Sequence, residues 1–508
     1  MKKAISILCL GVVLTCTSCE SWLDVRPKSE IKWDVMFETE QGFRDALLGC
    51  YVKLSEKSLY GAEMTCGFLD VLAQQYYAKN TNSYQEAFSY SYTGSRVTGI
   101  TDVIWEKMYN VLANVNALIE AAETQGDVLS PTSRALLKAE GYALRSYIYL
   151  DLVRLFTWGN LAERPDRDEK LAGLAIPYAK VYDKYIIPQE TLENVLNYIH
   201  EDLDLAINLF LDYSPDSKKG SRPEDYTKFS EEDIFYTADL TKYRMNLKAA
   251  MATRMRLNMW KGNYDEAYED ALTLKDSYSP VWIAEGDLSG SDVTRQDLTF
   301  SREMFFGLEA HERFEQVIER NFKRKVGDNV NDNAQFMSLP EERAFKIYER
   351  EEGLANADWR YVYWWTEKTE TNYRFNKFWE EENMKNTNNI PLIRTPEIYY
   401  TEAECLLRKG GEANKVKAIE ALNEVRSHRG LSQYSLPTTL TRNSVYEELE
   451  KEWRKEFVGD GQMFFYYKRT GNIAIPYATV TCDDNIYVLP LPQQEVDFGG
   501  REDLIERK

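Results

Sequence analysis

Apolar residues that recur every three or four positions, in one stretch after another, constrain this chain more than any other feature. The clearest run is Leu192, Val195, Leu196, Ile199, Leu203, Ala206, Ile207 and Phe210. At 3.6 residues per turn these side chains share one face, so the spacing predicts an amphipathic helix. Pro188 stands just before it, and Thr191 is placed to cap its first turn. The pattern repeats in Ile104, Met108, Val111, Leu112, Val115, Leu118 and Ile119, and again in Leu144, Ile148, Leu152 and Leu155.

Two further stretches read as helix hairpins. Leu247, Ala250, Met251, Leu257 and Trp260 precede Gly262, and Tyr264, Ala267, Ala271 and Leu274 follow it. Tyr400, Ala403 and Leu407 precede Gly410 and Gly411, with Ala418, Ala421 and Leu422 beyond. Small alanines let the paired helices approach closely, and each hairpin resembles a tetratricopeptide unit, whose pairs stack into a superhelix. The fold class expected is mostly α, with irregular helix pairs and few short strands. Polar stretches rich in Gly, Ser, Tyr and Asn interrupt the helices near 74–103 and 276–342, and loops this long are usually functional or disordered. A third irregular region covers 470–508. No linker divides the chain, so residues 19–508 read as one domain with loop insertions.

The first 18 residues read as an export signal. Lys2 and Lys3 form a charged start, and Ala4 to Leu14 an apolar run well short of the ~20 residues that span a bilayer. Thr15, Cys16, Thr17 and Ser18 lead to Cys19 in a pattern similar to a bacterial lipobox, with Cys16 where Leu is usual. That makes Cys19 the expected lipid anchor; two or three acyl chains hold a protein firmly on a membrane. Cys50, Cys66, Cys405 and Cys482 are scattered, and read as buried thiols, with a Cys50–Cys66 disulfide as the alternative. With 62 basic against 82 acidic side chains the net charge is −20, which disfavours nucleic acid and anionic lipid as partners.

Enzymatic motifs are missing. His200, His311 and His428 are the only histidines, and none lies in H-E-x-x-H. Ser289 in Gly286-Asp287-Leu288-Ser289-Gly290 is one place late for a nucleophile elbow. Asp328, Asn329, Asn331 and Asp332 approach a calcium loop, but Asn333 replaces its glycine and Leu339 its closing glutamate. No metal, cofactor or catalytic residue is expected.

Motifs spread over most of the mature chain resemble the SusD/RagB family of outer-membrane lipoproteins. They are Cys19 to Asp24 with Pro27; Ala46, Gly49 and Tyr51; Trp105, Tyr109, Asn114 and Asn116; and Glu140, Arg145, Tyr149, Trp158 and Gly159. Asp202, Leu203 and Ala206 follow, then Arg394, Glu397, Ala403 and Glu404; Leu422, Asn423, Val425, Arg426, Gly430 and Leu431; Glu452, Arg454, Glu456, Phe457 and Gly461; and Leu489 to Pro492 with Glu495. Gln462 to Phe465 and the tail after Glu495 depart from the family pattern. The resemblance implies a SusD-like tetratricopeptide fold and a surface lipoprotein that binds nutrients and is no enzyme. It also implies a partner, a SusC-like TonB-dependent transporter that the lipoprotein covers as a lid. The ligand implied is an oligosaccharide, or an oligopeptide in the RagB-like branch; a scaffold without ligand and a glycosidase are the remoter alternatives.

Glycan sites combine aromatic faces with a few placed polar groups. Asp70, Gln75, Tyr76, Tyr77, Tyr84, Tyr90 and Tyr92 supply that mix in the first loop. The resemblance implies that this segment and the middle insertion both contribute to binding, and Trp282 is the candidate from the latter. Glu452, Arg454 and Glu456 read as structural, paired with buried charges, and Trp105 and Tyr109 as core.

Overall fold

The computed structural model describes residues 33–505 apart from 79–82, 184, 215–242, 279, 291, 293, 295, 311, 323–336, 366, 369–371 and 380–387. The export signal, Cys19 and the Asn/Asp cluster at 328–333 therefore lie outside the described residues.

Helices dominate. The longer ones are α1 (Glu40–Leu54), α2 (Ser95–Thr124), α3 (Pro131–Phe156), α4 (Leu192–Tyr213), α5 (Leu247–Lys261), α6 (Tyr264–Tyr278), α7 (Thr395–Lys409), α8 (Glu412–Ser427), α9 (Arg442–Glu456) and α10 (Gln462–Thr470). From α2 to α9 each helix packs on the next in the chain, and α7 also touches α9, which gives the stacked, tetratricopeptide-like row. Local chemistry sets the ends. Thr191 caps α4 by accepting the Asn194 amide, and Ser130 caps α3 from just before Pro131. Gly262 takes a left-handed φ of 81° to close α5, a conformation that costs glycine little. The strands are short: β1 (Leu174–Pro177) pairs with β2 (Gln189–Thr191), β3 (Met304–Glu309) with β7 (Asn389–Arg394), and β6 (Asn372–Arg374) with both β4 (Leu339–Pro340) and β5 (Glu367–Lys368). One buried apolar cluster runs from Phe37 to Leu491.

The first loop is shorter than the composition indicates, because α2 begins at Ser95 rather than after 103. Gly94 stands at the cap position and has no side chain to offer. Glu86 replaces it: its Oε2 accepts the Arg96 amide at 2.9 Å and the Val97 amide at 3.3 Å. A carboxylate at a helix N-terminus satisfies free amides and favours the dipole. Inside this loop, Gln85–Phe88 forms a further short helix.

Behind the loops lies a buried ionic lattice. Glu456 accepts from Arg394 at 2.5 Å, Arg429 at 2.9 Å and Arg360 at 3.2 Å. Arg429 also reaches Glu303 at 2.6 Å, and Arg394 reaches Asp460 at 2.6 Å. Glu452 accepts from Arg426 at 2.6 Å, Arg360 at 2.9 Å and Lys455 at 3.2 Å. These groups are at most 3% exposed, so the pairing read for Glu452 and Glu456 is what the structure contains. Arg454 is the exception: among the described residues it makes no ion pair.

Candidate functional site

Six of the eight ligand residues read from the sequence are inside the protein. Asp70 is buried and accepts the Gly459 amide at 2.5 Å, the Gly461 amide at 3.2 Å and the Tyr76 hydroxyl at 3.0 Å. Gln75 donates to the Arg454 carbonyl at 3.2 Å, and the Tyr76 ring packs edge-on against Phe322 at 5.1 Å. Tyr84 donates to Glu63 at 3.2 Å, Tyr90 to the Leu72 carbonyl at 2.8 Å and Tyr92 to the Ile486 carbonyl at 2.7 Å. Each tyrosine hydroxyl finds an internal acceptor, which lets the ring serve as core. These six are corrected from surface ligand residues to packing residues. Two keep exposed area. Trp282 is half-buried and stacked on His428, with centroids 4.4 Å apart at 11°. Tyr77 is half-buried too, and its amide donates to the Ser338 carbonyl at 2.8 Å. The four cysteines among the described residues are free and buried, which removes the disulfide alternative.

That Tyr77–Ser338 bridge joins the first loop to the middle insertion, and a half-exposed aromatic face surrounds it. The Tyr77 ring meets Phe88 edge-on at 5.5 Å. Arg343 lies 5.6 Å from the Tyr77 ring, 5.9 Å from Phe88 and 4.2 Å from Tyr477. Tyr477 also has Arg454 5.1 Å from its centroid. Tyr477 and Arg454 line a cavity of about 390 Å3 with Lys346, Ile347, Glu447, Glu450, Lys451 and Pro476. Tyr477 holds a left-handed φ of 72° and Gln74 one of 56°. A non-glycine residue in that region carries backbone strain, and such strain gathers at functional sites. Sequence reading missed Arg343 and Tyr477, because they lie far from Tyr77 in the chain and share no motif with it.

Two more cavities flank α2. One of about 610 Å3 is lined by residues 99, 100, 103 and 107 of that helix, with Glu63, Glu309 and Arg313. The other, of about 440 Å3, takes Asp102, Trp105, Tyr109 and Asn116 from the opposite side, with Tyr185 and Glu495. Trp105 and Tyr109 are thus cavity wall as well as core. In the first of these cavities the Glu63 Oε2 is buried without a hydrogen-bond partner. Burial pushes this carboxyl up to about 7, with Tyr84, Lys57 and the Phe68 amide opposing. A carboxyl raised on folding stabilises the fold most fully below its unfolded value, and that contribution is lost as pH climbs to the folded one. Thermal unfolding of a Glu63→Gln variant, set against the parent, should therefore show a smaller loss of stability between about pH 4.5 and 7. Identical pH profiles would refute the assignment.

Stacked helix pairs with loop insertions between them define a tetratricopeptide-like protein. The sequence model described as the SusD family matches residues 291–478, and a second, described as starch-binding associating with outer membrane, matches 21–225. SusD-like protein P25 of Formosa agariphila is 24% identical over 213 residues, 37% of this chain and 40% of that protein. The chain thus matches less than half the length of this curated relative. A SusD superfamily protein from Bacteroides thetaiotaomicron aligns over 91% of this chain and 98% of its own, with a TM-score of 0.69 at 20% identity. A SusD superfamily protein from Bacteroides vulgatus aligns over 92% and 100%, with a TM-score of 0.68 at 19% identity. A SusD-like carbohydrate binding protein from Bacteroides vulgatus aligns over 90% and 96%, with a TM-score of 0.65 at 16% identity. The chain belongs to the SusD/RagB family, and its fold is the SusD fold. Among the described residues, no helix is long and apolar enough to cross a membrane.

Proposed function

We propose that this protein is a cell-surface lipoprotein, one domain over 19–508 anchored through Cys19, that captures oligosaccharides without cleaving them. It passes them to a SusC-like TonB-dependent transporter that it covers as a lid. The observation that carries the reading is the face where the two loop insertions meet. Tyr77, Phe88 and Tyr477 offer ring area, and Arg343, Lys346 and Glu447 stand beside them. Sugar rings have apolar C–H faces that pack on aromatic rings, while their hydroxyls seek charged and amide groups, so this pairing of surfaces suits a glycan. The family descriptions, which name starch binding and the outer membrane, support the same reading.

The test is calorimetric titration of the soluble chain, from residue 20 onward, with glycan and peptide panels, each mixture then checked for cleavage. One glycan class should bind intact, and Tyr77→Ala should weaken it roughly tenfold through the loss of one ring contact. Release of new reducing ends would overturn the non-catalytic reading. Binding of peptides alone would overturn the glycan reading in favour of peptide capture.

A further inference from the structure

Arg343 and Arg454 sit against the same tyrosine, at 4.2 and 5.1 Å from its centroid, and neither makes an ion pair among the described residues. This is anomalous in a chain of net charge −20. Four arginines of the interior show the contrast: Arg360, Arg394, Arg426 and Arg429 each hold carboxylates. Arg313, which has no ion pair among the described residues either, instead donates to the Gly61 and Asn389 carbonyls. Arg454 is 7% exposed, its Nε has no hydrogen-bond partner, and its Nη2 reaches only the Gln74 carbonyl at a long 3.4 Å. Arg343 likewise has Nη1 buried without a partner. Burying a guanidinium without a counter-charge is expensive, and two side by side repel one another as well.

The acids nearby form no ion pair with either arginine. Glu450 accepts from Asn472 at 3.4 Å, and burial raises its carboxyl against the opposing charge of Arg454, which lies within electrostatic reach but not in contact. Glu447 lines the cavity without reaching either arginine. Lys346 is already paired with Glu342, and Lys451 with Glu349 and Glu448. Arg454 lines an open cavity of about 390 Å3, and Arg343 stacks on Tyr477 of the same wall, so the two guanidiniums lack one thing, an acceptor that carries negative charge. Arginine is the side chain best suited to planar and tetrahedral oxyanions, which it binds through charge-assisted hydrogen bonds.

We propose that the face formed by Arg343, Tyr477 and Arg454 takes an oxyanion, the carboxylate or sulfate group of an acidic oligosaccharide. The ring of Tyr477 supplies the apolar floor, and the two guanidiniums supply the charge. This deepens the capture reading and rests on it for the identity of the carrier, though not for the anion site itself.

The experiment has two arms. In the first, oligogalacturonate and its methyl ester, and a sulfated oligosaccharide with its desulfated counterpart, are titrated into the soluble chain. At least one acidic member should bind roughly tenfold or more tightly than its neutral form, the worth of a charge-assisted hydrogen bond. Arg343→Gln should abolish that preference, and Arg343→Lys should keep part of it; Arg343 is half-exposed, so both variants should fold. Equal affinity for neutral and acidic forms, or a preference that survives Arg343→Gln, would overturn the proposal. The second arm uses inorganic sulfate at constant ionic strength held with chloride, read by tyrosine and arginine side-chain resonances. A saturable response lost in Arg343→Gln supports the anion site even if no oligosaccharide binds, in which case only the capture reading falls. A response that does not saturate, or is unchanged in the variant, sinks the anion site.

Discussion

Replacing Glu456 with alanine should lower the unfolding free energy by about 3–5 kcal/mol, the cost of removing one partner from a buried charge cluster. Glu456 is fully buried, and Arg394, Arg429 and Arg360 all donate to its two oxygens. Without it Arg360 keeps Asp358 and Glu452, Arg394 keeps Asp460, and Arg429 keeps Glu303. Three positive charges would then face a void where one carboxylate stood. Burial alone would raise this carboxyl, but Arg429, Arg394 and Arg360 overcome it and hold the group well below the usual carboxylate range. A group depressed in this way contributes stability that is present above its unfolded value and lost as pH falls toward the folded one. Urea unfolding at pH 7 measures the loss, and the deficit of the variant should shrink as the medium is acidified below about pH 4.5. A loss under about 1 kcal/mol, the range of exposed pairs, would show that the lattice contributes little.

The helical row was legible because its signal is local. The spacing in 192–210 alone names the buried face of α4, and Leu192, Val195, Leu196, Ile199, Leu203, Ala206, Ile207 and Phe210 are all buried. Thr191 and Gly262 mark helix ends by chemistry that acts within a few residues. The start of α2 was misread because its cap comes from Glu86, outside the helix, and Gly94-Ser95 with Gly99 reads as loop when taken alone. The lattice was half legible. Glu452 and Glu456 have the spacing of one helical turn, but Arg394, Arg429 and Glu303 come from distant parts of the chain and only the fold assembles them.

The candidate face was harder to read for a physical reason. Tyrosine is amphipathic, so a tyrosine-rich loop looks the same whether its hydroxyls face water or reach internal acceptors. In 70–92 the acceptors exist: Glu63, the Leu72 and Ile486 carbonyls, and Asp70 for Tyr76. None lies at a spacing that marks the tyrosine as inward-facing. Tyr77 keeps exposed area, and the bridge to Ser338 sets it beside Arg343, which in turn meets Tyr477. Arg454 shows the opposite limit: it sits in a motif with two paired glutamates, yet its own guanidinium is left without one.

Asp70→Ala separates the two roles that this residue could have. As a ligand residue it would affect binding and leave the fold intact. The structure instead makes it the acceptor that closes the turn after α9 onto the first loop, through the Gly459 and Gly461 amides and the Tyr76 hydroxyl. Gly461 holds a left-handed φ of 69°, and a side chain there would meet the Met64 backbone, so the turn is built on glycine. Removing Asp70 would leave three buried donors unsatisfied at about 1–3 kcal/mol each, so the expected loss is about 3 kcal/mol or more. Asparagine should not rescue it well, because both oxygens accept an amide and the nitrogen of asparagine cannot accept, whereas the hydroxyl oxygen of a neutral carboxyl still can. Burial pushes the Asp70 carboxyl up to about 8, against the Gly459 amide and the Tyr76 hydroxyl. Its stabilisation is therefore fullest below about pH 4 and fades as pH rises toward 8, and the deficit of Asp70→Ala should follow the same course. Denaturant unfolding at pH 5 and pH 8.5 checks both points. A variant that folds as stably as the parent and loses only glycan affinity would return Asp70 to the binding site, and with it the reading of the whole 70–92 segment as a ligand loop.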